Sequence, residues 1–249
     1  MKRTLFAVAL AALASFPALA QDAKTPTLIL HNTNASQPVS ARTWGLPHVP
    51  GDIVFYGGDN NPNDPNAGGF ANENTLLIGD TSTYGAVTAP KSGKITVSAV
   101  FFNNVSTVGD IFDPAVGTYD VRTGVSNGDC GTELASGTER QTAVPTGRSP
   151  FGLPEYTTTV YFAKPLTAKD GTTYWFNETP QCTNTRDANC DLAEYFFDNT
   201  TQQTNGVNAD AQPPYQLYLN SDYFGFTCSN VCGGTNSPAC KYGSWGLLK

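Results

Sequence analysis

The side chains in this sequence that could do chemistry are mostly oxygen donors. Asp59-Asn60-Asn61-Pro62-Asn63-Asp64-Pro65-Asn66 sets carboxylate and amide oxygens at alternate positions. A hard cation such as Ca2+ takes about six to eight such oxygens. Asp59, Asn61, Asn63 and Asp64 are therefore the candidate metal ligands, although the segment lacks the central Gly and the final Glu of an EF-hand loop. The plain alternative is a Pro-punctuated loop whose Asn and Asp side chains close Asx turns. Asp110, Asp113, Glu178, Asp191 and Glu194 could supply the two acids of a glycosidase, which stand about 5–9 Å apart. Spacing along a chain does not measure that distance, and an acid in an Asn-rich loop usually serves only to solvate it.

Flat rings stack on sugar faces, and Trp44, Trp175, Tyr195 and Phe196 are the candidates for a glycan platform. Core packing is the commoner fate of consecutive aromatics such as Tyr195-Phe196-Phe197. The only imidazoles are His31 and His48. His31 ends an apolar run and His48 sits in the turn-rich stretch Gly45-Leu46-Pro47-His48-Val49-Pro50. No G-x-S-x-G elbow, H-E-x-x-H pair or P-loop is present, and no catalytic residue is assigned.

Six cysteines, Cys130, Cys182, Cys190, Cys228, Cys232 and Cys240, form an even set. In an exported chain this predicts disulfides whose pairing the sequence leaves open. The rival is a zinc site built from Cys228-x3-Cys232 and Cys240, but no His lies nearby and an oxidising compartment favours disulfides.

The compartment is read from residues 1–20. Lys2 and Arg3 precede an apolar run from Leu5 to Ala14, and Ala18-Leu19-Ala20 stands before Gln21, the pattern of a secretory signal peptide. The run is too short to span a bilayer, and no later stretch is long enough. Residues 21–249 are expected to form one exported domain, secreted or periplasmic, with no membrane span. The formal charge is −7, or about −9 without Lys2 and Arg3, which excludes a nucleic-acid partner.

Charged residues are only 14% of the chain; its polarity comes from Thr, Asn and 24 Gly, while 14 Phe and 11 Tyr provide core material. No stretch has convincing helical periodicity. Short β-branched and aromatic runs recur between Gly, Pro, Asn and Asp: residues 27–31, 53–56, 94–102, 118–123, 156–163, 172–177, 215–219, 223–227 and 243–248. In 94–102, Ile95, Val97, Ala99 and Phe101 share one face. Ser92-Gly93, Asn127-Gly128 and Asp170-Gly171 mark turns. These signals predict an all-β fold, an antiparallel two-sheet sandwich of jelly-roll type with disulfides. Two long polar loops are expected, at 57–69 and 183–212.

Within residues 89–177, APKSGKITVSAVFFNN, GTYDVRTG, GTELASGT and YTTTVYFAKPLTAKDGTTYWFNE follow one another. This order resembles the bacterial exported β-sandwich domains called "choice-of-anchor" domains, with Leu166, Gly171, Tyr174 and Trp175 in matching places. The resemblance implies a secreted or surface-displayed jelly roll. The closing GSWGLLK has no apolar helix or basic tail, so a sorting anchor is not expected. The reading is a non-catalytic exported module that binds a glycan or an envelope protein, or serves a structural role. Two alternatives stand beside it: a carbohydrate-binding module with calcium assistance, and a carboxylate-dependent polysaccharide hydrolase or lyase.

Overall fold

The computed structural model describes residues 49, 51–60, 68–75, 79–106, 116–181, 195–200, 205–232 and 241–249. Among them the chain is all-β, without an α-helix. The strands are β1 (Ile53–Tyr56), β2 (Gly68–Ala71), β3 (Glu73–Thr75), β4 (Gly79–Thr88), β5 (Lys94–Ser106), β6 (Val116–Thr123) and β7 (Thr132–Pro145). They continue with β8 (Glu155–Lys169), β9 (Thr173–Pro180), β10 (Tyr195–Thr200), β11 (Leu217–Ser221), β12 (Phe226–Asn230), β13 (Tyr242–Gly243) and β14 (Trp245–Leu248). Every pairing between them is antiparallel.

The strand order is β1-β14-β5-β8-β7-β6-β9-β4-β11-β12, with β10 joining β2, β13 and the end of β5, and β3 pairing β4. β7 belongs to both halves of this order. Its residues Thr132 to Arg140 pair with β6, and Gln141 to Pro145 pair with β8. Side chains from the two halves then meet in one core. Trp245 of β14 lies 4.8 Å from Phe55 and 5.8 Å from Phe176 of β9, and Tyr119 of β6 stacks on Phe162 of β8 at 4.4 Å. This packing is compatible with the two-sheet sandwich. Gly85 makes room for it, since a Cβ there would stand 2.5 Å from the Trp245 indole.

Turn chemistry matches the sequence. Asp170 and Gly171 both take positive φ, 62° and 65°, as a type I′ turn requires. The face assignment of residues 94–102 needs a correction. β5 carries an irregularity between Val97 and Ala99, and a bulge moves the following side chains to the other face. Val97, Val100 and Phe102 thus enter the main core, while Ala99 and Phe101 pack with Tyr56 and Leu248 on the far side.

Three further differences are local. The expected loop at 183–212 contains β10, and β2 begins at Gly68 inside the expected loop 57–69, where Gly68 and Gly69 pair with Asn199 and Asp198. Residues 223–225 form the turn between β11 and β12 rather than a strand. The segment 1–20 and the strand expected at 27–31 lie outside the described residues.

Candidate functional site

Among the described residues, ionisable groups are enclosed in three places, where strands and the connections between them bring polar side chains together. The first lies on the far side of β5 and β8. Tyr56, at the end of β1, donates its hydroxyl to Asp59 Oδ1. Asn103 of β5 donates to the Tyr56 hydroxyl at 2.9 Å and to Ser244 at 2.7 Å, and accepts from Thr157 of β8 at 2.7 Å. Arg148, from the connection between β7 and β8, binds Asp59 through Nη1 at 2.7 Å and Glu155 through Nε. Thr146 also donates to Glu155, and Asn205 to Asp59 Oδ2 at 3.2 Å.

Both carboxylates are wholly buried, whereas Arg148 is partly exposed. Burial pushes the Asp59 carboxyl upward, while Arg148 and the Tyr56 hydroxyl pull it back. Burial and the neighbouring Asp59 raise the Tyr56 phenol. Burial alone would weaken the Arg148 cation, but the charges of Glu155 and Asp59 outweigh it and hold the guanidinium protonated. Chemically this is one cation shared by two acids. Neither acid faces solvent, and the single guanidinium offsets part of their charge.

The second site lies in the interior. Glu178 of β9 points inward, two positions beyond Phe176, and is fully buried. Thr158 donates to its Oε2 at 2.7 Å and Asn104 at 3.3 Å, so β9 is tied to β5 and β8. Its Oε1 and the Asn104 Oδ1 have no partner among the described residues. Burial dominates these two hydrogen bonds and pushes the carboxyl up to about 8.

The third site lies beside the disulfide. Asp120 accepts from Tyr84 at 2.7 Å and from Arg122 at 2.6 Å, and Arg122 also donates to the Cys130 carbonyl at 3.3 Å. Burial raises the Asp120 carboxyl against these partners and raises the Tyr84 phenol together with the Asp120 charge. Cys130 is bonded to Cys228 across 98 positions, and Cys232 is disulfide-bonded as well. Cys182, Cys190 and Cys240 lie outside the described residues.

Of the candidate metal ligands, Asp59 joins the Arg148 network, and Asn61, Asn63 and Asp64 lie outside the described residues. Among those described, no three His, Cys, Asp or Glu side chains gather as a metal would need. Of the candidate aromatics, Trp175 is 8% exposed. It sits with Tyr84, Ala86, Val125 and Cys228 and meets Tyr218 edge-on at 6.5 Å. The backbones of Tyr195 and Phe196 pair with Ser106 and Val105 of β5, and Trp44 lies outside the described residues. Sequence reasoning missed Arg148 and Glu155, although a basic and an acidic residue flanking the Pro- and Gly-rich turn Ser149 to Pro154 was a readable signal. It also missed the exposed aromatic turn of β11–β12 by assigning it to a strand.

These features define an all-β, antiparallel, disulfide-linked protein whose enclosed acids are hydrogen-bonded by its own side chains. No protein-family model, curated protein or solved structure matches the chain. No helix among the described residues is long and apolar enough to cross a membrane.

Proposed function

We propose that the chain is a non-catalytic exported module, secreted or periplasmic, with a binding or envelope-structural role. The observation that carries the proposal is the occupation of the buried carboxylates. Asp59, Glu155, Asp120 and Glu178 all accept hydrogen bonds from side chains of their own chain. A carboxyl group that protonates a glycosidic oxygen must reach a cleft open to substrate, whereas Asp59, Glu155 and Glu178 are wholly buried. The other candidate acids, Asp110, Asp113, Asp191 and Glu194, lie outside the described residues. The Cys130–Cys228 bond supports export, because such a bridge persists in oxidising compartments. The "choice-of-anchor" resemblance of residues 89–177 supports the same reading. Asp59 is engaged by Arg148, Tyr56 and Asn205, so a calcium site in this loop would rest on Asn61, Asn63 and Asp64.

Product analysis tests the proposal. The mature protein is incubated with neutral and acidic polysaccharides, with calcium or with a chelator, and new reducing or unsaturated ends are counted. None are expected. Release of such ends that Glu178→Gln or Asp59→Asn abolishes would overturn the reading. Export is checked on protein recovered from the periplasm or medium, whose first residue should be Gln21.

A further inference from the structure

The β11–β12 turn places aromatic rings outside the core. Tyr223 is 63% exposed, the most exposed large hydrophobic side chain among the described residues. Phe224 meets it edge-on at 4.9 Å and stacks on Phe226 at 6.3 Å with ring planes 18° apart. Phe226 in turn packs against the main core. The three rings thus form a graded platform running from solvent inward.

The platform is held rigidly. Ser221 pairs with Phe226 across the hairpin. The Ser221 hydroxyl accepts from the Phe224 amide at 3.2 Å, and the Asp222 carbonyl from the Gly225 amide at 3.3 Å. Gly225 has φ +71°, which glycine adopts without strain. Two residues beyond Phe226, Cys228 is bonded to Cys130, and the Asn127 side chain accepts from the Asn230 amide at 2.9 Å. The hairpin is therefore fastened to the turn between β6 and β7. A turn whose backbone is held in this way loses little conformational freedom on binding, which favours aromatic anchoring.

We propose that this turn is a binding site for a neutral polysaccharide. Charge selects that occupant. Residues 217–230 contain one ionisable acid, Asp222, and no Lys or Arg, within a chain of net charge −7. An anionic glycan or an anionic membrane would meet repulsion without a compensating cation. A neutral sugar offers an apolar C–H face to the exposed Tyr223 ring, which Phe224 buttresses edge-on, and hydroxyl donors to the exposed Asp222 carboxylate. This rests on the non-catalytic module reading and gives that module its ligand class.

The experiment is titration calorimetry of the mature, oxidised protein with neutral hexasaccharides of β- and α-linked glucose, xylose and mannose. Oligogalacturonate and zwitterionic phosphatidylcholine vesicles serve as comparisons. Binding of at least one neutral hexasaccharide is expected. Tyr223→Ala should weaken it at least tenfold; oligogalacturonate should bind the parent at least tenfold more weakly than that neutral hexasaccharide, and Asp222→Asn should narrow the gap. Tyr223 is mostly in solvent, so an unchanged melting temperature in Y223A will show that the fold is intact. No binding across the neutral set, binding that Y223A leaves unchanged, or binding to vesicles instead would overturn the assignment. Cleavage of a bound hexasaccharide would overturn the non-catalytic reading and leave the platform standing.

Discussion

Glu178 allows the interior to be tested quantitatively. Its carboxyl lies in the core, accepts from Thr158 and Asn104, and is raised by burial from 4.5 to about 8. In the unfolded chain the same group releases its proton near its ordinary value. Between about pH 4.5 and 8 the folded protein therefore binds more protons than the unfolded chain, and stability falls as the pH rises through this window. The full shift from 4.5 to about 8 corresponds to about 5 kcal/mol at most. For a chain of this size that is on the order of 10 °C in melting temperature. Glu178→Gln should abolish this slope, because the amide is always neutral and its oxygen can still accept from Thr158. Its NH2 also brings a donor to a pocket where Asn104 Oδ1 lacks one. Thermal melts of parent and variant at pH 5, 6, 7 and 8 measure the effect. The variant should be close to the parent at pH 5 and more stable by several kcal/mol at pH 8. Other groups titrating in the window act equally on both proteins, so the difference isolates Glu178. Parallel melting curves across the pH series would refute the reasoning.

Three more perturbations probe the remaining contacts. Replacing Cys130 and Cys228 together by Ser removes a cross-link spanning 98 positions and should cost about 4–5 kcal/mol in the chain-entropy account; a denaturant midpoint equal to the parent's would refute it. Arg148→Met leaves Asp59 and Glu155 buried without their cation and should destabilise by about 3–5 kcal/mol, read from urea unfolding, and a neutral outcome would show that the two acids had other compensation. Gly85→Ala drives a methyl into the Trp245 ring and should cost about 1–3 kcal/mol, accompanied by a change in tryptophan fluorescence if the indole is displaced.

The strands that could be read from sequence are those whose apolar residues face the core. Tyr119 and Val121 of β6 alternate with polar neighbours, Tyr174 and Phe176 of β9 flank Trp175 on the opposite face, and all four lie in the main cluster. β7 carried no such signal. Thr132 to Arg140 is mostly exposed, and its strand is held by backbone pairing with β6. Its Glu133, Glu139 and Arg140 are the charges that protect a sheet margin from pairing with other chains, and such residues read as loop. The bulge in β5 escaped for a related reason. Ile95, Val97, Ala99 and Phe101 stand at alternate positions in the sequence, and the apolar Val100 and Phe102 do not mark where the face switches, which depends on how β8 is registered against them. The site was the least legible. Asp59 was found for its neighbours in sequence, but its neighbours in space are Arg148 and Tyr56, and only the strand order brings Arg148, 89 positions away, against it.

The unusual composition follows from this architecture. A core that meets an interior acid and an outer ion network needs polar side chains able to satisfy one another without adding charge. Thr and Asn do this across strands. Thr88 meets Thr173 at 3.0 Å between β4 and β9, Thr81 meets Ser221 at 2.9 Å between β4 and β11, and Asn104 donates to Thr158 at 2.7 Å between β5 and β8. β-branched Thr suits the strand backbone, and its hydroxyl can both donate and accept, so a ladder of such pairs adds polarity at little desolvation cost. The ionisable groups enclosed among the described residues are then placed where a single charge decides the outcome: Arg148 between two buried acids, Arg122 on Asp120, and Glu178 with no cation beside it. Low charge in this chain marks an interior where hydroxyl and amide groups carry the polar pairing, which is why a neutral Gln at position 178 should fit better than the Glu it replaces.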